Sequence, residues 1–452
     1  MTSRARQIAG NGACCGCSNG QRRQAGVRSC SIVPFQYRIL GSMEQQQPGR
    51  LGRNFALLLA GNLVSVLGSS VYLIVVVLYL KDRTGSAAIL GLYNFIALLP
   101  PVLLGPFAGA LVDRWPRRNT LVISDVVRGV LMLLLASIAL LPSGIRIAHI
   151  LVFTAAGGIA HAFFLPAVPA IIPEIVPQSS LKRANSLRAG GSQVSNLAGN
   201  AIGGAVYAVV GFVPVLVING VSFLLSALQE SWIRTPAQPA VAREGAWLKL
   251  VVGQTVAGLR YILRRRGLRA MLLANSALYL LSPPLLLVLP FVVEDVLQLP
   301  TAFVGFYFAI MLAGGISAYA LWAYLPLTGR GDRRVLIGSF FCLAAAVLIA
   351  GLWLDPWVLA LTLLVCGGSI ASVNLVIVTS VQRLVPQVRR ARVFALMESA
   401  GALSAPFAYA FAGVIIDILL QDVRLVFFLS AAVVVLVAAV TLCSSGLRRM
   451  LQ

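Results

Sequence analysis

The sequence predicts an all-α membrane protein: twelve transmembrane helices in two six-helix, pseudo-symmetric halves. Three observations carry this. The 452-residue chain is 59% hydrophobic and only 11% charged, whereas soluble domains carry about 25% charged residues. Its apolar residues gather into runs near the ~20 residues a helix needs to cross a hydrocarbon core. The lysines and arginines crowd into every second loop, the pattern that fixes orientation in a bilayer.

Taken in order, residues 1–53 are basic and aperiodic, with no acid before Glu44 and no apolar core of signal-peptide length. They read as a disordered cytoplasmic tail, and Met43 reads as an alternative true start. Cys14, Cys15, Cys17 and Cys30 lie in this tail without the paired spacing of a zinc site. Spans are expected at 55–79, 87–112, 120–141, 147–172, 189–211 and 213–232, completing a first half over 54–232. A second half over 270–443 repeats them at 270–293, 302–325, 335–353, 357–380, 394–418 and 425–443, leaving a short tail, 444–452. Between the halves, 233–269 opens with Pro236 and Pro239 and then turns helical. Trp247, Leu250, Val251, Gln254, Val256 and Leu259 recur at helical spacing before RYILRRRGLR. A basic amphipathic segment of this kind lies at a membrane surface.

The net charge of +22 would suit a nucleic-acid binder, but the arginines sit in short loops between spans, so nucleic acid is not an expected partner. Lys81, Arg83, Arg146 and Arg424 are the basic residues expected outside; the rest of the loop charge falls on the other side. Both termini are therefore expected in the cytoplasm, with the protein in the plasma (inner) membrane.

The most informative stretch is GPFAGALVDRWPRR, Gly105 to Arg118. Gly105, Gly109 and Asp113 fall at i, i+4 and i+8 on one helix face, and the two glycines allow close backbone approach inside a bilayer. Arg114, Arg117 and Arg118 follow, with Pro116 preventing simple continuation. The pattern G-x-x-x-G-x-x-x-D-R-x-x-R-R resembles the signature loop of the major facilitator superfamily. TGSAAILGL, IIPEIVPQSSLKRANSL and VPQVRRARVFAL resemble its drug and siderophore exporters, including macrolide-efflux and enterobactin-exporter proteins. The resemblance implies the major facilitator fold and a small, amphipathic, drug- or macrolide-like substrate, exported by alternating access through proton antiport, with the proton gradient as energy source and no bound cofactor or metal. It implies a monomer in the lipid bilayer. It also implies a conformational latch in which Asp113 packs against the eleventh helix near Glu398, while Glu174 meets Arg117 or Arg118. The cavity is implied to be lined by the first, fourth, seventh and tenth helices, with Asn62, Tyr72, His161, Tyr279 and Asn374 as polar points. A siderophore or lysolipid transporter, or a non-transporting scaffold or sensor of the same fold, are the alternative readings.

Ionisable groups inside spans mark function by default. Asp125 and Arg128, at i and i+3 in the third span, are candidates for proton coupling or substrate contact, or for a structural ion pair. In the fifth span, GNAIGG resembles the antiporter motif G-P-x-x-G-G with Asn200 in place of proline. Asn196 and Asn200 then share a face as cavity or inter-helix hydrogen-bonding groups. Glu294, Asp295 and Asp417 are expected at outer ends, in solvent. Pro100-Pro101 and Pro283-Pro284 are expected to break the second and seventh spans. There is no G-x-x-x-x-G-K-[ST] phosphate loop.

Overall fold

The computed structural model describes residues 51–112, 115–142, 144–235, 247–324, 330–419 and 422–443. Among them are thirteen α-helices: α1 (Arg53–Thr84), α2 (Ala87–Val112), α3 (Arg117–Ile138), α4 (Ile147–Ile175), α5 (Leu181–Val210), α6 (Phe212–Ser231), α7 (Trp247–Arg264), α8 (Arg266–Phe291), α9 (Ala302–Tyr324), α10 (Arg330–Leu352), α11 (Pro356–Leu384), α12 (Gln387–Leu419) and α13 (Val423–Cys443). Twelve are the expected spans and α7 is the amphipathic linker helix. Ten are long and apolar enough to cross a bilayer by length and composition. The exceptions are α5, which carries Arg183, Arg188, Gln193, Asn196 and Asn200, and α13, whose described apolar stretch, Val423–Ala439, is short.

Local chemistry sets the ends. α1 stops at Gly85, whose φ of 61° is easy only for glycine, and the Gly85 N–H closes the last turn on the Lys81 carbonyl. α11 starts at Asp355, whose carboxylate accepts from the N–H groups of Trp357 and Val358, with Pro356 in the first helical position. The proline pairs do not break their helices: α2 runs through Pro100-Pro101, and α8 through Pro283-Pro284. Each proline forfeits one backbone bond, but in a bilayer the remaining groups have no water to turn to, so the helix is kept. The disruption comes instead after Pro290, where Val292–Val296 widens into a π turn.

The two halves repeat one packing scheme. α1 packs on α5 and α6 as α8 packs on α12 and α13; α2 meets α4 as α9 meets α11; α3 meets α4 and α6 as α10 meets α11 and α13. The halves join chiefly through α2–α12 and α5–α9, contacts that the same repeat interchanges. The bundle therefore has two ends. One, here called the basic face, carries the α2–α3 and α4–α5 turns and α7. The other, the far face, carries the α1–α2 turn, the π turn and the end of α12.

Candidate functional site

At the basic face every described charged pair stays within one half. The Arg117 guanidinium donates to the Glu174 carboxylate at 2.5 Å and to the Ala170 carbonyl at 2.8 Å, and Arg118 donates to the Ile233 carbonyl at 3.3 Å. The second half carries the same pair with charges exchanged: Arg383, ending α11, donates to Asp332 at the start of α10 at 2.7 Å. Glu398 accepts from the Tyr279 hydroxyl at 3.2 Å, joining α12 to α8 rather than to the first half. Asp113 and Arg114 lie outside the described residues. Among the described residues, a Cβ at Gly105 or Gly109 would meet nothing within 4 Å.

Between the faces lies a cavity of about 420 Å³ whose lining residues all belong to α1–α6. Of the four helices that the resemblance implies as lining, the first and fourth contribute to this cavity. Asn62, Tyr72 and His161 do line it, with Tyr93, Thr154 and Asn219. Tyr279 and Asn374 lie in the other half, Asn374 donating to Tyr319 at 3.5 Å. Asn196 joins the cavity wall and accepts from Ser70 at 2.6 Å; Asn62 accepts from Ser192 at 3.1 Å. These two bonds staple α5 to α1. Asn200 is not in the lining, and its side-chain oxygen has no partner among the described residues.

The cavity's most charged wall is Arg128. Its guanidinium sits between the rings of Phe164 and Phe223, at 4.4 and 4.3 Å from their centres, an arrangement that favours a cation more strongly when water is excluded. One nitrogen bonds to Asp125, which is 0% exposed. Another lies 3.3 Å from His161 Nδ1; a guanidinium only donates, so Nδ1 accepts. A third ionisable group, which the sequence reading passed over, completes the cluster. Glu230, in the last turn of α6, is 0% exposed, neither of its oxygens has a hydrogen-bond partner among the described residues, and it interacts electrostatically with Asp125 and Arg128. Two buried carboxyl groups thus lie within electrostatic reach of one guanidinium. The available signal was an acid inside the expected 213–232 span.

The far face is closed by charge and by glycine. Lys81, 7% exposed at the end of α1, donates to Glu294 at 2.5 Å and to Asp295 at 2.8 Å in the π turn. Asp417 of α12 accepts from the N–H groups of Ala87 and Ala88 at 2.5 and 3.1 Å and from the Ser86 hydroxyl at 2.6 Å. It therefore caps α2 from the opposite half, where the partial positive charge of the helix end attracts a carboxylate. Glu294 and Asp417 are thus inter-half contacts rather than the solvated ends expected from sequence, whereas Asp295, though bonded to Lys81, stays 59% exposed as expected. Around them, a Cβ at Gly91 or Gly413 would run into the backbone oxygens of Tyr409 or Ala87, and one at Gly305 into that of Asn200.

Two six-helix halves joined at one face, the first of them holding a polar-spotted cavity, are the architecture of a multi-pass membrane transporter. The chain belongs to the Major Facilitator Superfamily, whose profile matches residues 58–330. It is similar to macrolide efflux protein A of Streptococcus pyogenes, 23% identical over 405 residues covering 86% of this chain and 96% of the relative. It is also similar to the putative bacilysin exporter BacE of Bacillus subtilis, 33% identical over 143 residues covering 31% of this chain and 34% of the relative. Among solved structures, a bacterial homologue of the lysosomal transporter Spinster superposes with a TM-score of 0.68 at 13% identity, covering 86% of this chain and 96% of the other. The nucleoside transporter NupG does so with a TM-score of 0.65 at 13% identity, covering 86% and 98%. At such identities the structural likeness speaks for the fold alone.

Proposed function

We propose that the protein is a secondary exporter of small amphipathic molecules, driven by proton antiport through alternating access, and that it works as a monomer in the plasma membrane with its basic face and both termini on the cytoplasmic side. The observation that carries this reading is the buried Asp125–Arg128–Glu230 cluster against the cavity. With both carboxyls ionised the buried cluster holds one more negative than positive charge; one added proton balances it. A group placed there couples naturally to a ligand beside Arg128. The cavity's mixture of Tyr72, Tyr93, Phe153 and Phe164 with Asn62, Asn196 and Asn219 suits a ligand part apolar and part hydrogen-bonding. The efflux relatives support export as the direction, and the crowding of positive charge on one face supports the orientation. The Gly105–Gly109 face serves as the basic-face latch, made when that face closes, and the Arg117–Glu174 pair, already formed within the first half, braces the loop beside it.

The test is transport of a fluorescent amphipathic dye by protein reconstituted in vesicles with an imposed pH gradient. Dye movement should follow the gradient in the wild type, and Glu230→Gln should leave downhill dye movement while abolishing accumulation against the dye gradient. Gradient-independent transport in the wild type would overturn proton antiport. An unimpaired Glu230→Gln and Asp125→Asn would remove the cluster from the coupling.

A further inference from the structure

The α7 helix has no part in that reading, yet its surface is specific. Val256, Leu259 and Leu263 are exposed at i, i+3 and i+7, an apolar ridge without protein cover. Beside it, Arg260, Arg264 and Arg265 border a cavity of about 480 Å³ together with Tyr261 and, from α12, Val393. The Arg265 guanidinium lies 4.7 Å from the centre of the Tyr261 ring, which orients it without neutralising it. No carboxylate among the described residues pairs with any of these three arginines, and the sequence from Gly245 to Val293 contains no acid at all. Because α8 starts two residues after α7 ends, the ridge and the cavity stand where a membrane span meets the headgroups.

We propose that this cavity binds the headgroup of an anionic phospholipid, with the acyl chains lying along the Val256–Leu259–Leu263 ridge. A converging set of unpaired guanidinium groups calls for a phosphate, and the adjoining apolar ridge calls for a tail on it. α7 packs on α8 and α12, so the bound lipid holds the second half to the leaflet at the basic face. This assignment is independent of the transported substrate and of proton coupling.

The experiment uses the full chain, stripped of lipid in a neutral detergent, with thermal unfolding followed as phosphatidylglycerol, phosphatidylcholine or inorganic phosphate is added. Phosphatidylglycerol should raise the midpoint saturably; the other two should not. The triple variant Arg260→Gln, Arg264→Gln, Arg265→Gln should need about tenfold more phosphatidylglycerol, or higher, for the same shift, given the attraction of each basic group to an anionic surface. The corresponding triple Lys variant keeps the charge and should respond nearly as the wild type does, which separates lost binding from damaged folding. A Gln variant that titrates like the wild type, or phosphatidylcholine acting as well as phosphatidylglycerol, would overturn the site. A full response to inorganic phosphate alone would make it a free-anion site and refute the lipid assignment.

Discussion

The two faces of the molecule are built from the same kinds of parts and use them differently. At the far face, glycines and carboxylates lock one half against the other: Gly91 and Gly413 let α2 and α12 touch, Lys81 bridges to Glu294 and Asp295, and Asp417 caps α2. At the basic face, the glycines of the signature loop are bare and the described ion pairs brace each half internally. The difference teaches that a small-residue face or an acid at a helix end identifies a possible contact, while the conformation decides which such contacts are made. It also defines the state of the molecule: closed at the far face, with the Gly105–Gly109 face uncovered by any described residue.

The largest expected effect comes from filling the far-face glycines. Gly413→Leu or Gly305→Leu places a side chain where a neighbouring backbone oxygen already stands. Overpacking of this kind costs about 1–3 kcal/mol, enough to shift closure by roughly ten- to hundredfold. An impermeant thiol reagent should then reach Ser69→Cys in the cavity from the far face, where in the parent it should not. Equal labelling of both would show that the glycine contacts do not hold that face shut.

Next in size is Lys81→Met, which leaves Glu294, 14% exposed, without its cation. Breaking a buried pair costs 3–5 kcal/mol; here about 2 kcal/mol is expected, because Asp295 remains 59% exposed and solvated. Adding Glu294→Gln should restore much of the closure, and a double-mutant cycle on thiol accessibility measures the coupling. Strictly additive effects would refute the bridge. Asp417→Ala should be milder, about 1 kcal/mol for a lost helix cap, with Asp417→Asn milder still; here the readout is the same labelling rate.

The smallest effect on this state is expected from Gly105→Ala and Gly109→Ala, which meet no atoms in it and should leave far-face accessibility within about 0.5 kcal/mol of the parent. Turnover should nevertheless fall in the dye assay if the basic face closes over these glycines during the cycle. Unchanged turnover would argue that the latch is elsewhere.

How far the sequence disclosed all this depends on the distance along the chain over which each feature is decided. The spans were legible because hydropathy is local. So was the Asp125–Arg128 pair, one helical turn apart, and the Arg117–Glu174 pair followed from the resemblance of its loop. The far-face bridge was not legible: Lys81 and Glu294 are 213 residues apart, and nothing near Glu294 distinguishes a solvated end from one carried inward by a π turn. Asp417 and Ala87 are separated by 330 residues and meet only because α2 and α12 cross at glycines. Glu230 was missed for another reason. It stands in the last turn of α6, where an acid ordinarily reaches water, yet α6 packs on α3 and α1 and the side chain is fully buried.

The most direct measurement of the central claim is the distance across the far face, read by pulsed electron resonance between spin labels at Arg83→Cys and Gln298→Cys in a chain whose native cysteines are replaced. The account predicts one short, narrow distribution in the resting protein and a longer, broader one when Lys81→Met is added. A resting distribution already long and broad, or one that Lys81→Met leaves unchanged, would contradict it.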